Sequence, residues 1–453
     1  MTVPAPDPAR GQEVYDLDRA HVFHSWSAQQ LIKPLPIAAA EGCYFWDYEG
    51  KKYLDFSSQL VNTNIGHQHP KVVAAIQEQA GRLATIAPQH ANDARSEAAR
   101  LITSLAPERH NKVFFTNGGA DAIENAVRMA RLHTGRHKVL SAYRSYHGNT
   151  TTAVTLTGDP RRWANETGVA GIVHFFGPYP YRSPFWSDSD EQEAERALQH
   201  LESVIAFEGP QTIGALVLES VVGTAGVLIP PANYLAGVRE LCDRYGIVYI
   251  ADEVMAGFGR TGDWFAFEHF GVVPDLIAFA KGVNSGYVPV GGVIISDEIA
   301  ATFDERVFPG GLTYSGHPLA AASIIATLTA MQDEGIVENA KRVGEDVIGP
   351  GLRELAERHP VIGEVRGMGV FWALDLVRNR ATREMLVPYN ASGEANAPMA
   401  ELVGACRQRG LMPFTNYNRL HVVPPCTVSD AEAKEGLAIL DDAFTVLAPY
   451  YQD

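Results

Sequence analysis

The sequence predicts an α/β fold with a mostly parallel central sheet and a smaller α+β domain. Two observations carry that reading. Through the middle of the chain, short β-branched apolar runs alternate with helix-period segments, as in repeated strand–helix–strand units. Beyond about residue 320 the alternation gives way to long helical segments and an alternating strand, the pattern of a half-solvated antiparallel sheet. A chain of 453 residues accommodates both units. The expected division is residues 1–60 as part of the small domain, 61–319 as the large domain and 320–453 as the rest of the small one.

Composition narrows the functional classes. The net charge of −16 disfavours nucleic acid and anionic membranes as partners. No apolar run approaches the roughly 18 residues of a membrane helix, and the N-terminal ten residues lack the apolar core of a signal peptide. Cys43, Cys242, Cys406 and Cys426 are far apart and form no Cys-x-x-Cys pair, which fits a reducing, cytoplasmic setting.

Taken in order, residues 1–20 read as a flexible arm. His21-Val22-Phe23-His24-Ser25-Trp26 then brings aromatics to an expected helix start at Ser25 or Ser27. Residues 42–56 read as a hairpin turning at Glu49-Gly50. A polar loop, 57–69, leads to a helix opening at Pro70. Its His67 and His69 are weak evidence for a metal without a carboxylate cluster beside them. A strand over 112–116, then Asn117-Gly118-Gly119-Ala120 and a helix from Asp121, form a candidate anion cradle of free N–H groups at a helix N-terminus. A further strand, 139–143, precedes Ser145-Tyr146-His147-Gly148. Residues 175–186 read as a long ordered loop, and 213–219 as a strand ending in the carboxylate of Glu219. A glycine-containing loop, 221–226, follows, then a helix opened by Pro230-Pro231 and ended by Gly246.

The centre of the pattern lies next. Residues 246–251 form a buried-type strand that ends at Asp252, and 276–280 form another that ends at Lys281-Gly282. Both side chains therefore stand at the carboxyl edge of a parallel sheet, where α/β proteins bind ligands. A lysine amine condenses with an aldehyde, and an aspartate holds a pyridine nitrogen protonated. Together they suit pyridoxal phosphate. Beyond a strand at 291–296, the Gly-rich stretch 308–318 starts a long helix. Amphipathic helices at 320–331 and 339–358, one strand over 364–376, a polar loop over 378–397, a short strand near 420–423 and a final helix from Ser429 complete the chain.

Asp252, Lys281 and the intervening Gly257-Phe258-Gly259-Arg260-Thr261-Gly262 resemble the class III (ω-amine) aminotransferases, with the type I fold of pyridoxal phosphate-dependent transferases. The resemblance runs from Trp26 to Pro425. It implies catalysis by Lys281, Asp252 and Glu219, and cofactor binding by these three with Gly118, Gly119, Ala120, Tyr146, His147, Val254 and Thr313. Tyr146 and Val254 would cover opposite faces of the pyridine ring, and Thr313 would reach the phosphate in the neighbouring subunit of a homodimer or larger homo-oligomer. Gly118 and Ala120 depart from the family's hydroxyl-bearing phosphate loop, and Ser220 from its proline. The implied substrate pocket holds Trp26, Leu60, Val61, Thr224, Phe414 and Arg419. Phe414 stands where amine–pyruvate enzymes carry a mobile arginine, and His421 where 4-aminobutyrate enzymes carry theirs. Arg419, between them, is either a gripper of the substrate carboxylate or a surface arginine paired within its own chain. The implied activity is ping-pong transfer of an amino group from an amine or ω-amino acid to a 2-oxo acid such as pyruvate. A 4-aminobutyrate-type enzyme using 2-oxoglutarate, and a phospholyase or decarboxylase on the same scaffold, are the alternatives.

Overall fold

The computed structural model describes residues 5–452. Among these, fifteen strands form two sheets: β1 (Ile37–Glu41), β2 (Tyr44–Asp47), β3 (Lys52–Phe56), β4 (Lys112–Thr116), β5 (Lys138–Ala142), β6 (Ile172–Phe175), β7 (Ile213–Glu219), β8 (Val248–Asp252), β9 (Leu276–Phe279), β10 (Gly291–Ile295), β11 (Ile362–Met368), β12 (Phe371–Asn379), β13 (Glu384–Met385), β14 (Leu411–Asn416) and β15 (Arg419–Val422). The central sheet has the order β4-β10-β9-β8-β7-β5-β6. It is parallel throughout except for β10, which runs antiparallel to both its neighbours. Strands β7, β8 and β9 are buried along their whole length because helices cover both faces. The helix Gly119–Thr134 packs Ile123, Val127 and Ala130 on one face. Residues of the helices Asp93–Leu105, Asp190–Glu208, Tyr234–Tyr245 and Pro318–Asp333 cover the other.

The second sheet joins the two ends of the chain, in the order β1-β2-β3-β14-β15-β12-β11 with β13 on β12. β14 lies parallel to β3, so the N-terminal hairpin is continuous with the C-terminal strands.

The structure corrects several expectations. Residues Pro8–His21 are a helix, not a flexible arm; residues 1–4 of the expected arm lie outside the described residues. Asp7 caps this helix, and Gly11 lets it pass Tyr48, whose Cβ would lie 2.7 Å from an added Cβ. No helix begins at Ser25 or Ser27; Trp26 sits in a turn with φ of 54°. The expected single strand over 364–376 is the hairpin of β11 and β12, which reverses at Gly369 with φ of 52°. The expected helix over 339–358 is divided: Ile336–Val343 and Gly349–Arg358 are joined by a wider turn at Gly344–Ile348. The helix expected from Asp121 begins two residues earlier, at Gly119.

One fully buried cation ties the two sheets together. Arg260 donates from Nη1 to the carbonyls of Val370 and Pro424, and from Nη2 to Ser58 Oγ (3.2 Å) and Asn64 Oδ1 (2.7 Å). Truncation would leave several buried acceptors unpaired, each costing about 1–3 kcal/mol. Arg260→Ala is therefore expected to destabilise the holoenzyme by about 3 kcal/mol or more, read as a lowered midpoint in chemical denaturation. An unchanged midpoint would show that water replaces the guanidinium.

Candidate active site

Three adjacent parallel strands deliver the central residues. Glu219 is the last residue of β7 and pairs in register with Asp252, the last residue of β8. Lys281 follows β9, whose Ala278 pairs with Asp252. Its φ of 45° is unusual for a residue with a side chain, a form of strain that collects at functional sites.

The acids are held by a closed set of donors. Asp252 Oδ1 accepts from the Val254 N–H (3.0 Å), and Oδ2 lies 2.7 Å from His147 Nδ1. Ser141 Oγ lies 3.2 Å from His147 Nε2 and donates its one proton to the Leu156 carbonyl. The two ring nitrogens of His147 thus face Asp252 and Ser141. Burial opposes a charge on the ring, but the hydrogen bond and charge of Asp252, with Glu219 beyond, raise the His147 pKa. Glu219 accepts from the Tyr146 N–H (3.0 Å) and the Gly223 N–H (2.8 Å). Burial pushes its pKa up, and His147 opposes the shift. The Lys281 pKa is lowered by burial, against the pull of Asp252 and Glu219, which favours the neutral amine.

The residues present suit a flat, phosphorylated cofactor. The helix Gly119–Thr134 has no side chain capping its N-terminus, and an added Cβ on Gly118 would meet nothing within 4 Å. That leaves N–H groups and open space for an anion. Close packing fixes the cradle: an added Cβ would come within 2.8 Å of Val254 at Gly119, 2.5 Å of Ala120 at Gly148 and 2.7 Å of Gly118 at Gly291. The ring of Tyr146 carries the Arg161 guanidinium 3.6 Å from its centroid.

The remaining expected residues are spread more widely. Leu60 and Phe414 line an open cavity of about 850 Å³, whose walls include none of Lys281, Asp252 and Glu219. Val61 is buried in an apolar cluster with Val221, Met255 and Phe371. Thr224 Oγ1 lies 3.8 Å from Met255 Sδ. Trp26 is 64% exposed, and Thr313 lies exposed in the loop before Pro318. His67 and His69 pair with Asp55 and Glu334. Arg419 is neither on a loop nor at the surface. It lies on β15 opposite Asp375, with Nε 3.6 Å from that carboxylate, and it is 5% exposed. Asp375 also receives Arg182 (3.0 Å), Arg366 (3.4 Å), Tyr179 Oη (2.7 Å) and Asn418 (3.1 Å). His421 is buried and forced neutral, its pKa pushed down to about 3 by burial; its Nε2 lies 3.2 Å from the Gly223 carbonyl.

Sequence reasoning passed over Arg161, Asp375 and Glu253. Glu253 accepts from Ser220 and from the N–H groups of Ala266 and Phe267, and burial pushes its pKa up to about 7. The departure of Ser220 from the family's proline thus has a structural use. No spacing rule signals Arg161 or Asp375, because their partners are distant in sequence or act through ring stacking.

Comparison with known proteins agrees with this geometry. Residues 26–444 match the family model for class III aminotransferases. The chain is 36% identical over 431 residues to the 5-aminovalerate aminotransferase of Pseudomonas aeruginosa, covering 92% of this chain and 95% of that one. It is 38% identical to that organism's putrescine–pyruvate aminotransferase, covering 77% and 78%. The crystal structure of taurine:2-oxoglutarate aminotransferase from Bifidobacterium kashiwanohense, in complex with PLP and glutamate, superposes with a TM-score of 0.93 at 41% identity, covering 96% and 98%. The chain belongs to the class III aminotransferases. It is a pyridoxal phosphate-dependent ω-transaminase, EC 2.6.1, and the alternative readings are not favoured.

Proposed function

We propose that the enzyme moves the amino group of an amine or ω-amino acid to pyruvate or a similar 2-oxo acid, in two half-reactions at one site. The carrying observation is the register of Glu219, Asp252 and Lys281 on three neighbouring strand ends. Pyridoxal phosphate, when bound, supplies the electrophilic carbon and the electron-withdrawing ring. Lys281 would hold its carbonyl end and carry the proton from the substrate's α-carbon, a task its lowered pKa supports. Asp252, beside His147, would hold the ring nitrogen's proton, and Glu219 would flank the ring. Gly118, Gly119 and Ala120 would hold the phosphate through backbone N–H groups, between the Tyr146 and Val254 faces. Lys281→Ala is expected to lower turnover by about 10³-fold or more while the far-UV spectrum stays native. Near wild-type transamination by that variant would remove Lys281 from the centre.

The working form is proposed to be at least a homodimer in which Thr313 completes the partner's phosphate site. Exposure of Phe23 (85%), Leu31 (81%), Trp26 and Tyr314 supports a face that another copy covers. Light scattering at assay concentration should give at least twice the 49.3 kDa chain mass. A fully active monomer would overturn the assignment. Among the described residues no helix is long and apolar enough to cross a membrane. Four buried free cysteines support a cytoplasmic setting.

Arg419 is proposed to take the 2-oxo acid's carboxylate, near an apolar wall that includes Leu60 and Phe414. Its place beside Asp375 permits this: Arg182 and Arg366 remain on Asp375 when Arg419 leaves, so the carboxylate is not orphaned. Arg419→Ala should raise KM for the keto acid about tenfold or more, and much less for a carboxylate-free amine. An equal rise for both would confine Arg419 to the Asp375 cluster.

A further inference from the structure

The loop between β7 and the helix Tyr234–Tyr245 carries one of the two N–H groups that hold Glu219. Gly223 donates to Glu219 Oε2 at 2.8 Å, and Tyr146 donates to Oε1 at 3.0 Å. One donor would leave the carboxylate free to rotate about the bond to its other oxygen. Two donors on two oxygens fix its plane, so the place of Gly223 matters for the aim of the acid. The loop itself is a turn with little regular structure. Val222 and Leu228 form an isolated antiparallel bridge, and the Gly223 carbonyl gathers the N–H groups of Gly226 (2.9 Å) and Val227 (3.0 Å).

Three side chains of the second sheet hold the same loop by its carbonyls. His421 of β15 has Nε2 3.2 Å from the Gly223 oxygen. Asn416 of β14 donates from Nδ2 to the Thr224 oxygen at 2.7 Å, and Arg366 of β11 from Nε to the Gly226 oxygen at 2.5 Å. The packing is as close as the bonding: an added Cβ would lie 2.2 Å from Met255 Sδ at Gly223 and 2.3 Å from Arg419 Cδ at Gly226. A carbonyl oxygen only accepts, so the contact at Gly223 puts the proton of His421 on Nε2 and leaves Nδ1 bare. That Nδ1 is buried without a hydrogen-bond partner, and burial keeps the ring neutral. The ring also packs on Phe414, with centroids 4.8 Å apart. His421 therefore has no charge to offer a substrate carboxylate. It has one N–H, and that N–H is aimed at the loop.

We propose that His421 and Asn416 are positioning residues for Glu219: by holding the carbonyls of Gly223 and Thr224 they keep the Gly223 N–H on the Glu219 carboxylate, so that the second sheet sets the aim of an acid on the first. This rests on the transaminase reading, which gives Glu219 its place beside the cofactor ring. His421 stands where the resemblance puts the arginine of 4-aminobutyrate enzymes. Here that position serves the loop instead of a substrate.

The test compares the full-length wild type with His421→Leu, His421→Gln and Asn416→Ala. Hydrogen–deuterium exchange over residues 220–228, measured with and without pyridoxal phosphate, reads the grip directly. Loss of either side chain should speed exchange of this stretch about tenfold, while β7 and β8 exchange as in wild type. Turnover is measured with butan-1-amine or 3-aminopropanoate as donor and pyruvate as acceptor. For both donors kcat should fall about 3- to 10-fold with each KM within about twofold of wild type, because the acid that moves acts on the cofactor and not on the substrate. The pH midpoint of the bound cofactor's visible band should shift by about half a unit. His421→Gln, which keeps an N–H donor, should recover most of these losses. Unchanged exchange in both His421→Leu and Asn416→Ala would overturn the proposal, and so would faster exchange with kcat and the visible band unaltered. A rise in KM confined to 3-aminopropanoate and pyruvate would also overturn it and make His421 a substrate contact. Should His421→Leu fail to fold, Asn416→Ala, at a half-buried strand end, carries the same test. Absence of transfer by the wild type would instead sink the transaminase reading, while the exchange comparison would still decide whether the second sheet holds the loop.

Discussion

The buried guanidinium of Arg260 is the interaction on which the architecture depends. It reaches Ser58 and Asn64 from the N-terminal segment, Val370 from the β11–β12 hairpin and Pro424 beyond β15. Its own backbone carbonyl accepts from the Val370 N–H, and an added Cβ on Gly369 would lie 2.4 Å from Thr261. Three distant stretches are thereby brought to the loop that begins at Asp252. Among the described residues no carboxylate pairs with it; two backbone carbonyls, an amide oxygen and a hydroxyl surround its two Nη atoms, while the buried Nε has no partner. Such an arrangement tolerates no loose fit, since each oxygen left without its donor carries the full cost of desolvation. Arg260 thus joins the N-terminal segment, the β11–β12 hairpin and the stretch after β15 to the loop that follows Asp252.

At those strand ends, two carboxylates lie side by side under cover, which by itself would be costly. His147 lowers that cost. Its ring sits against Asp252, which raises the His147 pKa, and it opposes the upward shift at Glu219. The arrangement separates the roles of the acids. Asp252 is in direct contact with His147. Glu219, held only by backbone N–H groups, has a raised pKa and shifts more readily toward its neutral form. Lys281 is desolvated, its pKa lowered by burial, and its backbone has a positive φ.

How much of this is legible in the sequence depends on whether a feature is local. Strand ends are local: β7, β8 and β9 are continuous apolar runs, and Glu219, Asp252 and Lys281 could be placed from them. The Gly-Gly cradle could be placed for the same reason. Features set by tertiary pairing are hidden. β14 contains Pro413, which argues against a strand, yet it pairs parallel to β3. β1 is rich in alanine, a poor strand former, and depends on β2. The hairpin at Gly369 hides inside one unbroken alternating run. The helix at Pro8–His21 has no marked apolar stripe and is held by its cap and by the close approach to Tyr48. The position of Arg419 depends on Asp375, far away in sequence and adjacent only across the β12–β15 pair.

The two arginine clusters, around Asp375 and at Asp159, differ in how firmly each guanidinium is held. Around Asp375, three arginines share one carboxylate, so any of them leaves behind a group that is still paired. An arginine in such a cluster can exchange partners at low cost. Asp159 has Arg161 as its ion-pair partner, in a two-point fork with a tyrosine behind it. Leaving that arrangement would strand Asp159, which is 5% exposed, without its counter-charge. Arg161 is therefore a fixed donor, and Arg419 an exchangeable one. The Asp375 cluster is thus a shared arrangement, and the Asp159–Arg161 pair beside the Tyr146 loop a fixed one.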